Sequence, residues 1–285
     1  MLKRLCALVS VFALVALSGC GSAPETTPTT TPKPTTGGGD KPKEAAPKKK
    51  DAAAAEKFPA AKGTATLKGV VSLEGEAPKM TKIDMSGAKQ CADLHKDAVT
   101  KEDVVAKDGK LANVVVYIKS VNGKPVDETW SFDAPTTEAQ IDQKGCQYTP
   151  HILAVQVDQP VAITSSDELA HNIHYVPGNN KEFNESQQKA GSKKVVQFSE
   201  PDMGANMVCN IHGWMKAYLF VFPHPFFAVT KDDGSYSFAQ KLPPGDYEVA
   251  VWQESEGQKL SKVDPVKVTL ADNDTKEQNF TFKVK

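Results

Sequence analysis

The sequence has no stretch with a sustained helical period and no large excess of either charge: 34 Lys and Arg stand against 35 Asp and Glu, a net charge of −1. The first absence leaves short strands as the material of the fold. The second, followed along the chain, argues against a nucleic-acid partner. Residues 1 to 20 carry +2 and residues 21 to 62 carry +3, so the remainder carries −6 and is mildly acidic. Long apolar runs are scarce as well. The run LCALVSVFALVAL, which follows Lys3 and Arg4, is too short to span a bilayer comfortably and reads as an export signal. Residues 21 to 62 have almost no large apolar side chain to offset the entropy of folding, which predicts a disordered, Pro/Thr/Lys/Ala-rich tether.

The leader closes on LSGC, and this stretch resembles the lipobox of bacterial lipoproteins. The resemblance implies cleavage before Cys20, with residues 1 to 19 as signal peptide, and lipid on the Cys20 sulfur. Several acyl chains, each CH2 contributing about 0.8 kcal/mol when buried, would hold the protein on a membrane. Gly21 follows, not the aspartate of an inner-membrane retention signal, so the expected place is the outer membrane, facing the periplasm.

From about Thr64 the chain changes to alternating, β-branched runs separated by Gly, Pro, Asn and Asp, the pattern of an all-β sandwich. The candidate strands, from TLKGVVSLEG to QNFTFKV, are too many for one small sandwich. The segment AVTKDDGSYSFAQKLPPGDYEVAVWQ resembles carboxypeptidase regulatory-like and collagen-adhesin B-type domains through Thr230, Gly234, Tyr236, Leu242, Gly245 and Tyr247. Independently of that likeness, Asp233-Gly234 suits a tight hairpin turn. Such domains begin with strands like ATLKGVVSLEG and NVVVYIKSV, which lie upstream. The expected organisation is therefore a transthyretin/Ig-like β-sandwich made of residues 63 to 127 and 223 to 285, interrupted by a second domain at 128 to 222. Two consecutive domains with a ragged border are the alternative. The peptidase activity of carboxypeptidases does not carry over, because the likeness is confined to their noncatalytic accessory domain.

The middle segment contains His171-Asn172 on a candidate strand and CNIHGWM, Cys209 to Met215, near the end of an apolar run. Taken singly, Cys209 is a small buried hydrophobe, Met215 a core filler and His212 a surface group. Jointly and in this order they resemble the copper-ligand pattern of the cupredoxin (blue-copper, amicyanin/plastocyanin-like) family, a Greek-key β-sandwich. The resemblance implies one mononuclear type 1 copper held by His171, Cys209, His212 and Met215. A site that alternates between Cu(I) and Cu(II) uses a soft thiolate, two imidazoles and a weak thioether. Residues three apart on a strand face opposite ways, so the chain must turn between Cys209, His212 and Met215, and His174 must point away if His171 points in. Asn172 is expected to tie the two ligand segments together by side-chain hydrogen bonds.

Other chemistries fit less well. A binuclear copper centre needs a second cysteine in the loop. Structural zinc favours a closed set without methionine. A nucleophilic Cys209–His pair lacks an evident orienting group. Asp167 and Glu168 could coordinate in a distorted, non-blue site. Cys91 and Cys146 remain as an even pair, which in an oxidising compartment points to a disulfide, with two buried free thiols as the alternative. His151 and His224 read as structural or surface residues, and His95 has no discernible role. The expected function is a membrane-anchored one-electron carrier, not an enzyme, serving periplasmic redox proteins. Its electron port would be the ring edge of His212, framed by Gly213 and Trp214. Copper buffering at the envelope and a scaffold or adhesion role are the rivals.

Overall fold

A computed structural model describes residues 55 to 176 and 178 to 285, so the expected signal peptide, the Cys20 acceptor and most of the tether lie outside the described residues. The protein is all-β: among the described residues the two α-helical segments, Lys89–Ala92 and Val126–Thr129, are 4 residues each. Among the described residues no helix is long and apolar enough to cross a membrane.

Strand Thr66–Glu74 shows how the pattern becomes structure. Leu67, Val71 and Leu73 fall on one face and are buried, while Lys68, Val70 and Ser72 alternate with them and stay half-exposed. Gly69 lies on the buried face. A Cβ there would come within 1.9 Å of the Gln278 carbonyl oxygen, where the strand's parallel partner changes from Thr275–Glu277 to Phe280–Lys283. Opposite this sheet lies a second one, in the order Phe227–Val229, Val115–Val121, Gly245–Trp252 and Val266–Leu270. Leu67, Val116, Ile118, Tyr247, Val249 and Phe282 meet in the core between them. The motif residues have local work to do here. The buried Thr230 hydroxyl donates to the Leu111 carbonyl (2.8 Å) and accepts the Val114 N–H (3.0 Å). The Tyr247 hydroxyl donates to the Pro243 carbonyl (2.7 Å). At the hairpin, Gly234 takes φ 71° and Asp233 accepts the Ser235 N–H (2.9 Å).

Residues 139 to 222 build a separate pair of sheets. One has the order Ile152–Gln156, Lys216–Phe222, Asp202–Val208, His171–Val176 and Phe183–Gln187; the other has Lys193–Val196, Val161–Ser165, Ala139–Gln143 and Tyr148–Thr149. Their core includes Ile141, Ile163, Ile173, Tyr175, Met207 and Leu219. Two of these strands, AQIDQ and FNESQ, are too polar to stand out as strands in the sequence.

Two segments lie elsewhere than the sequence places them. The tether expected over 20 to 62 is not free at its end: Glu56–Lys57 pairs in parallel with Trp130–Ser131, and Phe58 stacks among Trp130, Phe132 and Phe226. One large apolar ring is enough to dock this stretch, because it buries against an existing core. The stretch 83 to 99, expected with the sandwich of residues 63 to 127 and 223 to 285 (the outer sandwich), contributes Met85 and Cys91 to the core of the other one, with Ile83, Ala88 and Val99 packed against it. The two pairs of sheets also share an apolar seam, where Phe220 and Phe222 meet Val115 and Ile152, flanked by Tyr117 and Trp252.

Candidate metal centre

His171–Val176 runs antiparallel to Asp202–Val208, with His174 opposite Val208. Alternation turns His171, Ile173 and Tyr175 into the core, and all three are fully buried. His174 takes the other face, where its Nε2 meets Glu182 Oε1 (2.6 Å) and its Nδ1 meets Asn210 Oδ1 (3.3 Å). The Cys209 to Met215 segment begins directly after Asp202–Val208 and ends directly before Lys216–Phe222. It turns as the chemistry requires. The Cys209 N–H donates to the Met215 carbonyl (3.2 Å), and the Met215 N–H donates to the His212 carbonyl (2.9 Å). The His212 N–H donates to Cys209 Sγ at 3.4 Å.

The turn brings three donors together. The Nδ1 atoms of His171 and His212 are 3.0 Å apart, and Cys209 Sγ is 4.0 Å from His212 Nδ1. One ligand atom from each residue lies within 4.8 Å of the others. Two nitrogens about 2.0 Å from one ion, at angles between tetrahedral and trigonal, are about 3.3 to 3.5 Å apart, and a nitrogen and a sulfur about 3.5 to 3.7 Å apart. The observed separations differ from these by a few tenths of an ångström, so the donor set fits a single ion. Met215 is buried in the same core as Cys209. His171 is 0%, Met215 1%, Cys209 3% and His212 9% exposed, so the site is closed to bulk water.

Asn172 holds the His171 strand and the Cys209 loop to each other. Its Oδ1 accepts the Asn210 N–H (2.8 Å), its Nδ2 donates to Asn184 Oδ1 (2.6 Å), and its carbonyl accepts the Tyr148 hydroxyl (2.6 Å). Asp167 is not placed as a ligand of the same ion. Its Oδ2 is 2.9 Å from Nε2 of His171, on the opposite side of the ring from Nδ1. Glu168 is exposed.

The ionisable donors shift one another. Burial pushes the Cys209 thiol up, but His171 and the backbone N–H groups of Asn172, His212 and Ile211 outweigh it and hold the thiol below its ordinary value. Burial pushes His171 down, yet Cys209 and Asp167 raise it overall. His212 is lowered, by burial first and then by the charge on His171.

Cys91 and Cys146 are joined in a disulfide, leaving Cys209 as the free cysteine among the described residues. His95 contacts the Gly145 carbonyl (2.8 Å) beside this bond. His151 pairs with Glu254 (2.7 Å), and burial lowers His224 to about 4. Trp214 and Gly213 lie beside His212, and Ile211 joins them. Trp214 is half-buried, its ring 5.2 Å from that of His212 and its indole N–H donating to the Cys146 carbonyl (3.0 Å). The prominent exposed apolar side chain of the loop is Ile211, at 54%. Nothing in the sequence singles it out, because isolated exposed isoleucines are common.

No family model and no curated protein matches the chain. Among solved structures it is similar to a copper-containing nitrite reductase from Thermus scotoductus SA-01, with 17% identity over 36% of this chain and a TM-score of 0.29; the match spans only 24% of the reductase. A purple cupredoxin from Nitrosopumilus maritimus matches with 26% identity over 29% of this chain and 98% of its own, with a TM-score of 0.26. A reduced tryptophan-to-tyrosine variant of amicyanin matches with 20% identity over 31% of this chain and 86% of its own, with a TM-score of 0.28.

Proposed function

We propose that residues 128 to 222 form a cupredoxin domain, inserted in the outer sandwich, that holds one mononuclear copper and carries single electrons. The observation behind this reading is the convergence of His171 Nδ1, His212 Nδ1 and Cys209 Sγ in a buried turn. Met215 is the fourth donor. Copper bound there supplies reversible one-electron chemistry through a soft thiolate and two imidazoles.

The chain's own part is to keep the donors still. Asn172 locks the His171 strand to the Cys209 loop, and the Cys209–Met215 backbone pair closes the turn, so the ligands need not rearrange between oxidation states. Burial excludes water and exchangeable ligands. A catalytic metal site keeps a position open; a closed four-donor set suits a carrier. His212, the most exposed of the four, is the exit for the electron, with Ile211 and Trp214 beside it as a dry contact for a transient partner. The expected partners are periplasmic redox proteins. The leader and Cys20 would anchor the protein to the outer membrane, facing the periplasm.

The metal-free protein is titrated with Cu(II) while its visible spectrum is recorded. An intense sulfur-to-copper charge-transfer band that Cys209→Ser abolishes is expected, together with a reversible wave at an electrode. Tight binding with the band but no reversible wave would replace transfer by buffering. Absence of binding would leave the scaffold role.

A further inference from the structure

We propose that Asp167 is a positioning residue for the metal centre, and that the disulfide loop Gly145-Cys146 fixes it there. The inference rests on the copper reading. Asp167 is 7% exposed, and among the described residues its ion-pair partner, were the ring protonated, is His171, not a lysine or arginine. Every hydrogen bond to its carboxylate is directional. Oδ1 accepts the Gly145 N–H at 2.7 Å, and Oδ2 accepts the Cys146 N–H at 2.8 Å and faces His171 Nε2 at 2.9 Å.

The loop is shaped to do this. Gly145 and Cys146 are consecutive residues at φ 62° and φ 52°. This conformation costs a non-glycine residue of order 1 kcal/mol. It turns two successive N–H groups toward one anion, the arrangement of a backbone nest. Cys146 cannot relax out of it freely, because its sulfur is bonded to Cys91 and its carbonyl accepts the Trp214 indole N–H. One residue thus supports both imidazoles. Its N–H reaches His171 through Asp167, and its carbonyl reaches His212 through the ring of Trp214. Cys91 extends the support to the 83 to 99 segment.

The physical consequence is specific. A carboxylate accepting from Nε2–H fixes the tautomer that leaves Nδ1 free for the metal, sets the ring plane, and makes Nδ1 a better donor. Its negative charge also favours the more highly charged oxidation state of an ion on the other side of the ring.

The test compares wild type, Asp167→Asn and Asp167→Glu. In metal-free protein, proton-nitrogen NMR of the imidazoles reports a protected His171 Nε2–H in wild type and Asp167→Glu that is lost in Asp167→Asn. In copper-loaded protein, chelator competition should show Asp167→Asn binding Cu(II) about 10- to 100-fold more weakly, with the reduction potential moved upward and Asp167→Glu returning toward wild type. An unprotected Nε2–H in wild type, or unchanged affinity and potential in a copper-loaded Asp167→Asn, would overturn the proposal. Protection in the metal-free wild type without any copper band would instead overturn the copper reading and leave the ring-positioning contact standing.

Discussion

Replacing Cys91 and Cys146 together by serine should cost the protein about 4 kcal/mol. The two cysteines are 55 residues apart in sequence. In the chain-entropy treatment, closing a loop of that length removes about 14 cal/mol/K from the unfolded ensemble, about 4 kcal/mol at 25 °C. Nothing folded compensates, because both positions are fully buried among Met85, Ile141 and Tyr148 and would receive polar hydroxyls. Urea unfolding of the metal-free proteins, followed by Trp fluorescence, reads the difference. The loss can take a local route in which only the docked segment opens, so hydrogen exchange over residues 83 to 99 is measured alongside. A drop of several kcal/mol in global stability, or a rise of a hundredfold or more in exchange confined to that segment, is expected. A change below about 1 kcal/mol with exchange unaltered would refute the loop-closure argument.

Asn172→Ala leaves the Asn210 N–H without its acceptor and should cost about 1 to 3 kcal/mol; an unchanged thermal midpoint would show that water or another group takes over. Asp202 accepts from the Tyr175 hydroxyl and from the Gly178 and Asn179 N–H groups. Burial pushes its carboxyl up, but these donors outweigh it and hold the group below the ordinary 3.8. Its contribution is therefore complete above that value and is lost as pH falls through the lower, folded-state value. Asp202→Asn should flatten the acid limb of a stability-versus-pH curve, and a limb of unchanged slope would assign acid unfolding to other groups. Phe220→Ala, at a fully buried ring packed edge-on against Trp252 (4.8 Å), should cost about 3 to 5 kcal/mol by denaturant titration. A cost below 1 kcal/mol would mean that the seam is not tightly packed.

What the sequence made legible follows physical range. Thr66–Glu74 and His171–Val176 announce themselves because period-two alternation is written in neighbouring residues. The candidate site is legible for the same reason: Cys209, His212 and Met215 sit on one short turn, and His171 is marked by the asparagine after it. What escaped depends on partners far away in the chain. Ala139–Gln143 and Phe183–Gln187 are strands because neighbours pair with them, not because their own residues prefer it. Phe58 finds its pocket beside Phe226, 168 positions later by residue number. Asp167 reads as a possible ligand because carboxylates ligate metals; only the left-handed pair at 145 and 146, invisible in composition, turns it into a partner for the far nitrogen of His171.

The strand leaving the Cys209 to Met215 loop joins these separate observations. Lys216–Phe222 is paired on both edges, in parallel to Ile152–Gln156 and antiparallel to Asp202–Val208. It is also covered on both faces: Leu219 and Val221 belong to the core that contains Cys209 and Met215, while Phe220 and Phe222 belong to the seam with the outer sandwich. Each fully buried side chain of this kind contributes about 1.5 to 3 kcal/mol, so sliding or tilting the strand would forfeit contacts on both faces at once. A register slip by one residue would exchange the two faces and drive phenylalanines into the space sized for Leu219 and Val221. The start of this strand sets where Met215 and the end of the loop lie. The outer sandwich therefore fixes the Cys209 to Met215 loop through the seam behind Lys216–Phe222, while the 83 to 99 segment, packed into the same core as the loop, holds Cys146 through its bond to Cys91.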